Sequence, residues 1–435
     1  MNKSTLITIL FAAFVIMFQV FETKAAPGDL DTSFGILGQV YDNSLVTIHG
    51  SAIQADGKII AVGNKSSIPT VVRYNVDGSL DYGFGTNGSV FGDTTYGIFN
   101  SVVVQEDGKI VAAGRSDNNA FVIRLNTNGT FDNSFSGDGK LMITFGTDFY
   151  STVLESVTIA QNTGKIVVAG TIFYDSQDNP CVQGSNLVFA RINSNGTLDT
   201  TFDGNGKKAI DLRCRDVLTS TTVNPTNGKI AFTTEGNGDF EVGMLNENGS
   251  FDTGFGGTGL VETDFNGTTY SHDRATSVAF QRWATNVGGI LFWTTRLVVG
   301  GTAYGSSTTV YDWGLARYKL DGTPDTAFNG DGKVRKALSY QYESVESLKI
   351  DSQQRIVTAG RRTWNNTNDF AVVRFTRDGE FDNAFGNGGK VYTKFYANGA
   401  HTGSVPYDVS LAPDGKIVAV GGGSNLNAIM ARYEP

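Results

Sequence analysis

The chain has 435 residues, a formal net charge of −9, 54 glycines and only 8 prolines. That acidity argues against nucleic acid and anionic membrane surfaces as partners. It is spread over the turns and forms no acidic tail, and the glycine-rich, proline-poor balance suits a chain of hairpins.

Residues 1–25 stand apart. Met1-Asn-Lys3 is a short positive start, Thr5 to Phe21 is an almost unbroken apolar run, and Thr23-Lys-Ala25 offers small residues for a cut after Ala25. This is the three-part layout of a secretory signal. The run of 17 residues sits at the short limit for a membrane span, so an uncleaved anchor is the competing reading. No lipobox cysteine and no second apolar run follow. The expectation is a mature chain of residues 26–435, soluble and extracytoplasmic, in the periplasm, at the cell surface or in the medium. Losing Lys3, Lys24 and Glu22 removes two positive charges and one negative, so −9 becomes −10.

From Gly28 onward one module repeats. Its most constant element is Asp-x-x-Phe, at Asp31/Phe34, Asp81/Phe84, Asp132/Phe135, Asp199/Phe202, Asp252/Phe255, Asp325/Phe328 and Asp382/Phe385. The aspartates are 50, 51, 67, 53, 73 and 57 residues apart, periods typical of stacked or radial repeats. After each Asp-x-x-Phe come a glycine turn and a short apolar run, then an alternating run such as Ser51-Ala-Ile-Gln ending at Asp56-Gly57-Lys58. A β-branched run (Ile59-Ile-Ala-Val-Gly63) and one like Phe121-Val-Ile-Arg124 complete the unit. Asp-Gly between β-branched runs is a hairpin signal. Each unit therefore reads as four short strands, a to d, from the centre outward, and no window has a helical apolar period with caps.

Seven four-stranded units predict an all-β, seven-bladed β-propeller forming a single domain over residues 26–435. The chain ends bear on closure. Gly28 to Val40 is a d strand without a, b or c before it. The last unit, Val409 through Tyr433, supplies a, b and c and stops. If the first strand completes the last blade, no sheet edge is left open. An open solenoid would gain nothing from this match and would want polar caps.

At Leu-Asp-x-x-Phe-Gly, Gln-x-Asp-Gly-Lys-Ile-Val-x-x-Gly and Arg-Tyr-Asn-x-Asp-Gly the chain resembles the delta-60 repeat family of secreted bacterial proteins, over about residues 28–434. The resemblance implies an extracytoplasmic β-repeat protein and no particular reaction or cofactor.

The repeats differ in instructive places. Repeat three carries an insertion at 171–185 with Cys181, and Cys214 ends the same blade's d strand. Both are expected on one face, where a Cys181–Cys214 disulfide, permitted by secretion, would close about 34 residues and add ~3–4 kcal/mol of chain-entropy stabilisation. Repeat four has Met244 where the others have Arg73, Arg124, Arg191, Arg317, Arg374 and Arg432. Repeat five replaces Asp-Gly-Lys with a stretch from Gln281 to Arg296 holding Trp283 and Trp293. A longer ribbon packed on itself is favoured there over an exposed aromatic contact.

The recurring Asp, Arg and Phe read as scaffold. The Asp would accept turn N–H groups, the Arg would pair with it, and the Phe would fill the gap between blades. The stretches opening at Asp132, Asp199 and Asp325 echo the start of a calcium loop, but position three lacks a carboxylate and no closing Glu follows. His49, His272 and His401 all precede an a strand and are expected in d–a loops, at offsets unsuited to a shared metal. Gly421-Gly-Gly-Ser424 reads as a b–c loop, and the triplets at Asn128, Asn195 and Asn248 as repeat turns. No nucleophile elbow or phosphate loop stands in the right context. Variable loops at 171–186, 265–276, 302–311 and 396–406 on a constant framework favour a monomeric binding or scaffold module for a glycan or protein. The alternative is a glycan-active hydrolase or lyase at the channel mouth, with Tyr311, Asp312, His272, Asp273, Arg274 and His401 as loop candidates.

Overall fold

The computed structural model describes residues 25–45, 47–92, 94, 96–146, 150–174, 184–213, 216–235, 238–266, 272–304, 311–339, 341–424 and 426–435. Most of the signal segment and both Cys181 and Cys214 lie outside the described residues. The described residues that bracket the cysteines meet, since the Asp216 N–H donates to the Ser185 carbonyl at 3.3 Å.

The described chain is all β, with seven four-stranded antiparallel sheets and one two-stranded hairpin. Blade one is Thr47–Ile53, Ile59–Lys65, Ile68–Tyr74 and Ser89–Phe91, strands a to d in sheet order. Blades two to six follow the same order over residues 97–143, 151–210, 217–263, 274–336 and 343–393. Blade seven takes Ser404–Leu411, Ile417–Gly423 and Leu426–Tyr433 from the end of the chain and Gln39–Asp42 from its start. The closing register runs from Gln39 opposite Ala431 to Asp42 opposite Ala428. The Gly28 N–H adds a bond to the Glu434 carbonyl and the Asp31 N–H one to Arg432.

The apolar side chains sort into seven clusters, each shared by two adjacent blades. The first joins Val418, Val420 and Met430 of blade seven to Ile48, Ile59 and Val72 of blade one. Strands with both faces covered need β-branched residues at successive positions, which is why the b and c runs look continuously apolar. This is how some 400 residues avoid needing one oversized core.

Every a strand carries a bulge, and the bulged residues are His49, Asn100, Glu155, Thr219, Thr276, Glu346 and Tyr407. A bulge swings one residue out of the ladder and bends the strand. Opposite it the b strand has glycine in six blades, because a Cβ on Gly63 or Gly114 would come within 2.0 Å of an a-strand carbonyl. The Gly421 position is one of these, so Gly421–Gly423 belong to strand b and not to a loop. Likewise 171–173 and 185–186 continue strands b and c of blade three, and 396–406 takes in all but the first residue of the hairpin Phe395–Ala397/Ala400–Thr402 and the start of the last a strand.

Candidate binding cleft and channel

The repeated residues form latches between blades. In six repeats the c-strand arginine pairs with the repeat aspartate, at 2.6–2.8 Å, from Arg73–Asp81 through Arg432–Asp31. The same guanidinium lies over the repeat phenylalanine: 4.4 Å above Phe84, 4.5 Å above Phe34, 5.2 Å above Phe202, 4.7 Å above Phe328 and 4.5 Å above Phe385. It then reaches into the next blade: Arg124 donates to the Ser194 carbonyl at 2.6 Å and Arg317 to that of Arg377 at 2.6 Å. The aspartate's other oxygen accepts the turn N–H two residues on, as at Ser33, Gly83 and Ser134, each at 3.0 Å. All seven phenylalanines, Phe34, Phe84, Phe135, Phe202, Phe255, Phe328 and Phe385, are wholly buried between blades, so they pack the scaffold and form no part of a binding surface. The next blade's turn glycine sits against them with φ near +85°, as Gly78 does on Phe34.

A second cation from the start of strand b completes each latch. It is Lys58, Lys109, Lys165, Lys229 and Lys416 in five blades and Arg296 and Arg355 in the other two. The lysine is that of the hairpin turn, Asp-Gly-Lys at Lys58, Lys109 and Lys416, Thr-Gly-Lys at Lys165 and Asn-Gly-Lys at Lys229. Its recurrence one hairpin before each arginine was the available signal. Met244 does leave Asp252 without an arginine, and its carboxylate is held by Lys229 at 2.6 Å and the Gly254 N–H at 3.3 Å. Burial opposes the charge on Asp132, yet hydrogen bonds from Ser134 and Lys109 and the charge of Arg124 hold its carboxyl well below the usual range. These aspartates are therefore spoken for, including Asp132, Asp199 and Asp325 of the calcium-like stretches.

The a strands enclose a central channel of about 930 Å³. Its bulged residues stitch neighbouring blades: Asn100 donates to the Leu154 carbonyl, Thr219 to that of Ala275 and Thr276 to that of Val345, at 2.7–3.0 Å. The next residue is a serine in five blades, and Ser101, Ser156 and Ser277 accept N–H groups from the following blade. Lining the seven a runs up on their Asn-Ser, Glu-Ser and Thr-Ser pairs would have exposed this ring. His49 is among these residues, inside strand a and stacked 5.4 Å from Tyr407, not in a d–a loop. Burial lowers its pKa. Desolvation raises Glu155 to about 7, with Arg115 opposing and Glu235 adding.

A separate cleft of about 300 Å³ opens where the b–c and d–a connections of blades four to six meet. It is lined by Glu235, His272, Asp273, Arg274, Thr302, Tyr311 and Tyr342, with Gly238 at its edge. Four of the six residues singled out from sequence thus converge here. Tyr304, Tyr311 and Tyr342 stand ring to ring at 5.4 and 4.8 Å, with His272 edge-on to Tyr304 and Arg361 4.2 Å over Tyr342. Arg274 pairs with Glu235. Burial raises Tyr311, as do the neighbouring Tyr342 and Tyr304. Asp312 lies beneath, paired with Arg335 at 3.1 Å, and burial raises its pKa against that charge. Asp239, Asp264 and Asp273 bring carboxylate oxygens within 4.8 Å of one another, the arrangement among the described residues that could hold a cation. Asp273 already accepts the Phe265 and Tyr304 N–H groups. His401 is not in the lining; its Nε2 lies 2.9 Å from Asp369, which Arg362 also pairs.

Comparison with known proteins bears on the fold. The family described as "Domain of unknown function (DUF5122) beta-propeller" matches residues 54–84, 105–135, 161–202, 296–328 and 355–385. No curated protein matches the sequence. Among solved structures, one titled "Crystal Structure of Mitotic Checkpoint Complex" aligns at 12% identity and TM-score 0.46, covering 100% of this chain and 99% of that one. A protein of unknown function from Dyadobacter fermentans DSM 18053 aligns at 8% identity and TM-score 0.43, covering 92% and 98%. Neither likeness is close enough to bear on function.

Proposed function

The chain belongs to the DUF5122 β-propeller family, and from that premise we propose that it is an exported binding module whose ligand site is the cleft on blades four to six. The layout of residues 1–25 supports export. The observation that carries the site is the convergence of Tyr311, Tyr342, His272 and the Glu235–Arg274 pair in one opening, with the Tyr304 ring against Tyr311. Aromatic faces offer flat apolar area to the C–H side of a sugar ring, while carboxylate and guanidinium groups at the rim bond its hydroxyls. A cavity of about 300 Å³ is at the small end for ligand sites and fits a short glycan segment. The seven latches are scaffold.

The test is titration calorimetry against a glycan panel. Tyr311→Ala and Tyr342→Ala should each weaken binding about tenfold or more, since a lost aromatic platform is worth ~1–2 kcal/mol, with the melting temperature held. Absence of glycan binding by the unaltered protein would sink the reading. Release of product from a polysaccharide, abolished by His272→Ala, would replace it with the enzymatic alternative.

A further inference from the structure

The a–b hairpin of blade five leaves the body of the molecule. Its strands, Arg274–Val287 and Ile290–Tyr304, have 14 and 15 residues, against 6 to 10 for a and b strands elsewhere. Strand c stops pairing at Leu297, so the pairs from Gln281–Arg296 to Val287–Ile290 form a bare two-stranded ribbon. The base is fixed: Gln281 donates to the Gln354 and Arg377 carbonyls, and the Arg282 N–H to the Gln354 side chain. The tip is a two-residue Gly288-Gly289 turn with φ of +62° and +88°, values that suit glycine.

The side chains are graded along this ribbon. At the tip Val287, Ile290, Leu291 and Phe292 are each more than half exposed, and so is Trp293 behind them. Cross-strand partners share a face, so Val287, Ile290 and Phe292 lie on one side and Leu291 and Trp293 on the other. At the base, Arg282 stacks 4.2 Å over Trp293 and Arg377 5.0 Å over the half-buried Trp283. Against the expectation of a ribbon packed on itself, Trp283 is covered by Arg377 and Arg317 of the body, and Trp293 stays exposed apart from Arg282, because the ribbon outgrows the blade that would cover it.

We infer that this hairpin inserts its tip into the surface of a phospholipid bilayer. A ribbon built to dock on a protein groove would be apolar on one face and polar on the other. This tip carries large apolar side chains on both, interrupted by Thr285 on one face and by Asn286, which accepts the Gly289 N–H, on the other, which matches a medium that is apolar in every direction. The order apolar tip, tryptophan, arginine follows the order acyl chain, interface, phosphate. Trp293 lies three residues from Ile290, ~10 Å along a strand, and interfacial elements bury to about 5–10 Å. The acidity of the whole chain excludes attraction as the main force and leaves apolar insertion, which is what the tip supplies.

The test is flotation of the purified protein with phosphatidylcholine vesicles. The unaltered protein should float, its tryptophan emission should shift to shorter wavelength, and lipid brominated on the acyl chain should quench it. Leu291→Ser with Phe292→Ser should weaken partitioning about tenfold or more with the melting temperature held, since both side chains are exposed. No flotation of the unaltered protein, or equal flotation of the variant, overturns the inference. So does light scattering that finds a dimer which the variant converts to monomer, because the tip would then cover a second copy.

Discussion

Arg124 serves four groups at once: Asp132 at 2.7 Å, Ser134 at 3.1 Å, the Ser194 carbonyl of the next blade at 2.6 Å, and the face of Phe135 at 4.8 Å. It is almost wholly buried. Removing the guanidinium leaves Asp132 with Lys109 as its cation, as in blade four, and takes away charged hydrogen bonds worth about 1.5–3 kcal/mol. Arg124→Met should therefore lower unfolding stability in urea by that amount and leave ligand affinity unchanged. Combined with Asp132→Asn it should cost less than the two single changes added, because each single change already removes the bond the two residues share. Additive losses would mean that the residues do not act as a unit. Blade four tolerates Met244 because it packs among Phe255, Leu297 and Tyr318 while Lys229 keeps Asp252 paired.

At the level of elements, the first strand is held by groups from the other end of the chain. Arg432 and Lys416 both donate to Asp31, and Phe34 fills the gap below Arg432. A chain beginning at Asn43 would deprive both cations of Asp31, leaving Lys416 with Glu434, and would leave the Leu426–Tyr433 edge open to other chains. It should lose its cooperative thermal transition and scatter light as it associates, and a synthetic peptide of residues 26–42 should restore the transition. A sharp melt of a monomeric truncated chain would show that the ring does not depend on its closing strand.

Over the whole molecule, two classes of carboxyl pull stability in opposite directions with pH. Burial raises Glu155 and Glu343 to about 7 from 4.5; Arg115 opposes this at the first and the Leu338 and Ser339 N–H groups at the second. Each keeps a proton in the fold that the unfolded chain has released, so stability falls as pH rises from 4.5 to about 7. The latch carboxyls Asp31, Asp132 and Asp199 are held well below 3.8, so their contribution is present above 3.8 and is lost as acid protonates them. The melting temperature should be higher at pH 6 than at pH 8 and should collapse below pH ~3. Glu155→Gln and Glu343→Gln should each shrink the first difference, and an unchanged profile in both would show that these carboxyls ionise normally.

The repeat count, the four strands per unit, the Arg–Asp–Phe association and the closure by the first strand were legible from residue order. Each depends on contacts that recur at fixed spacing, and a pattern present seven times reveals its own register. The lysine of the latch was legible too, once read as a partner for the aspartate and not only as a turn residue. What only the tertiary structure decided lies where repeats differ. The bulge that places His49 in the channel wall arises from backbone curvature around the ring, and His272, Tyr311 and Tyr342 meet because separate connections end at one rim. Whether Trp293 is covered depends on how far blade five outgrows its neighbours. Those outcomes depend on distances between segments far apart in the chain, which periodicity does not encode.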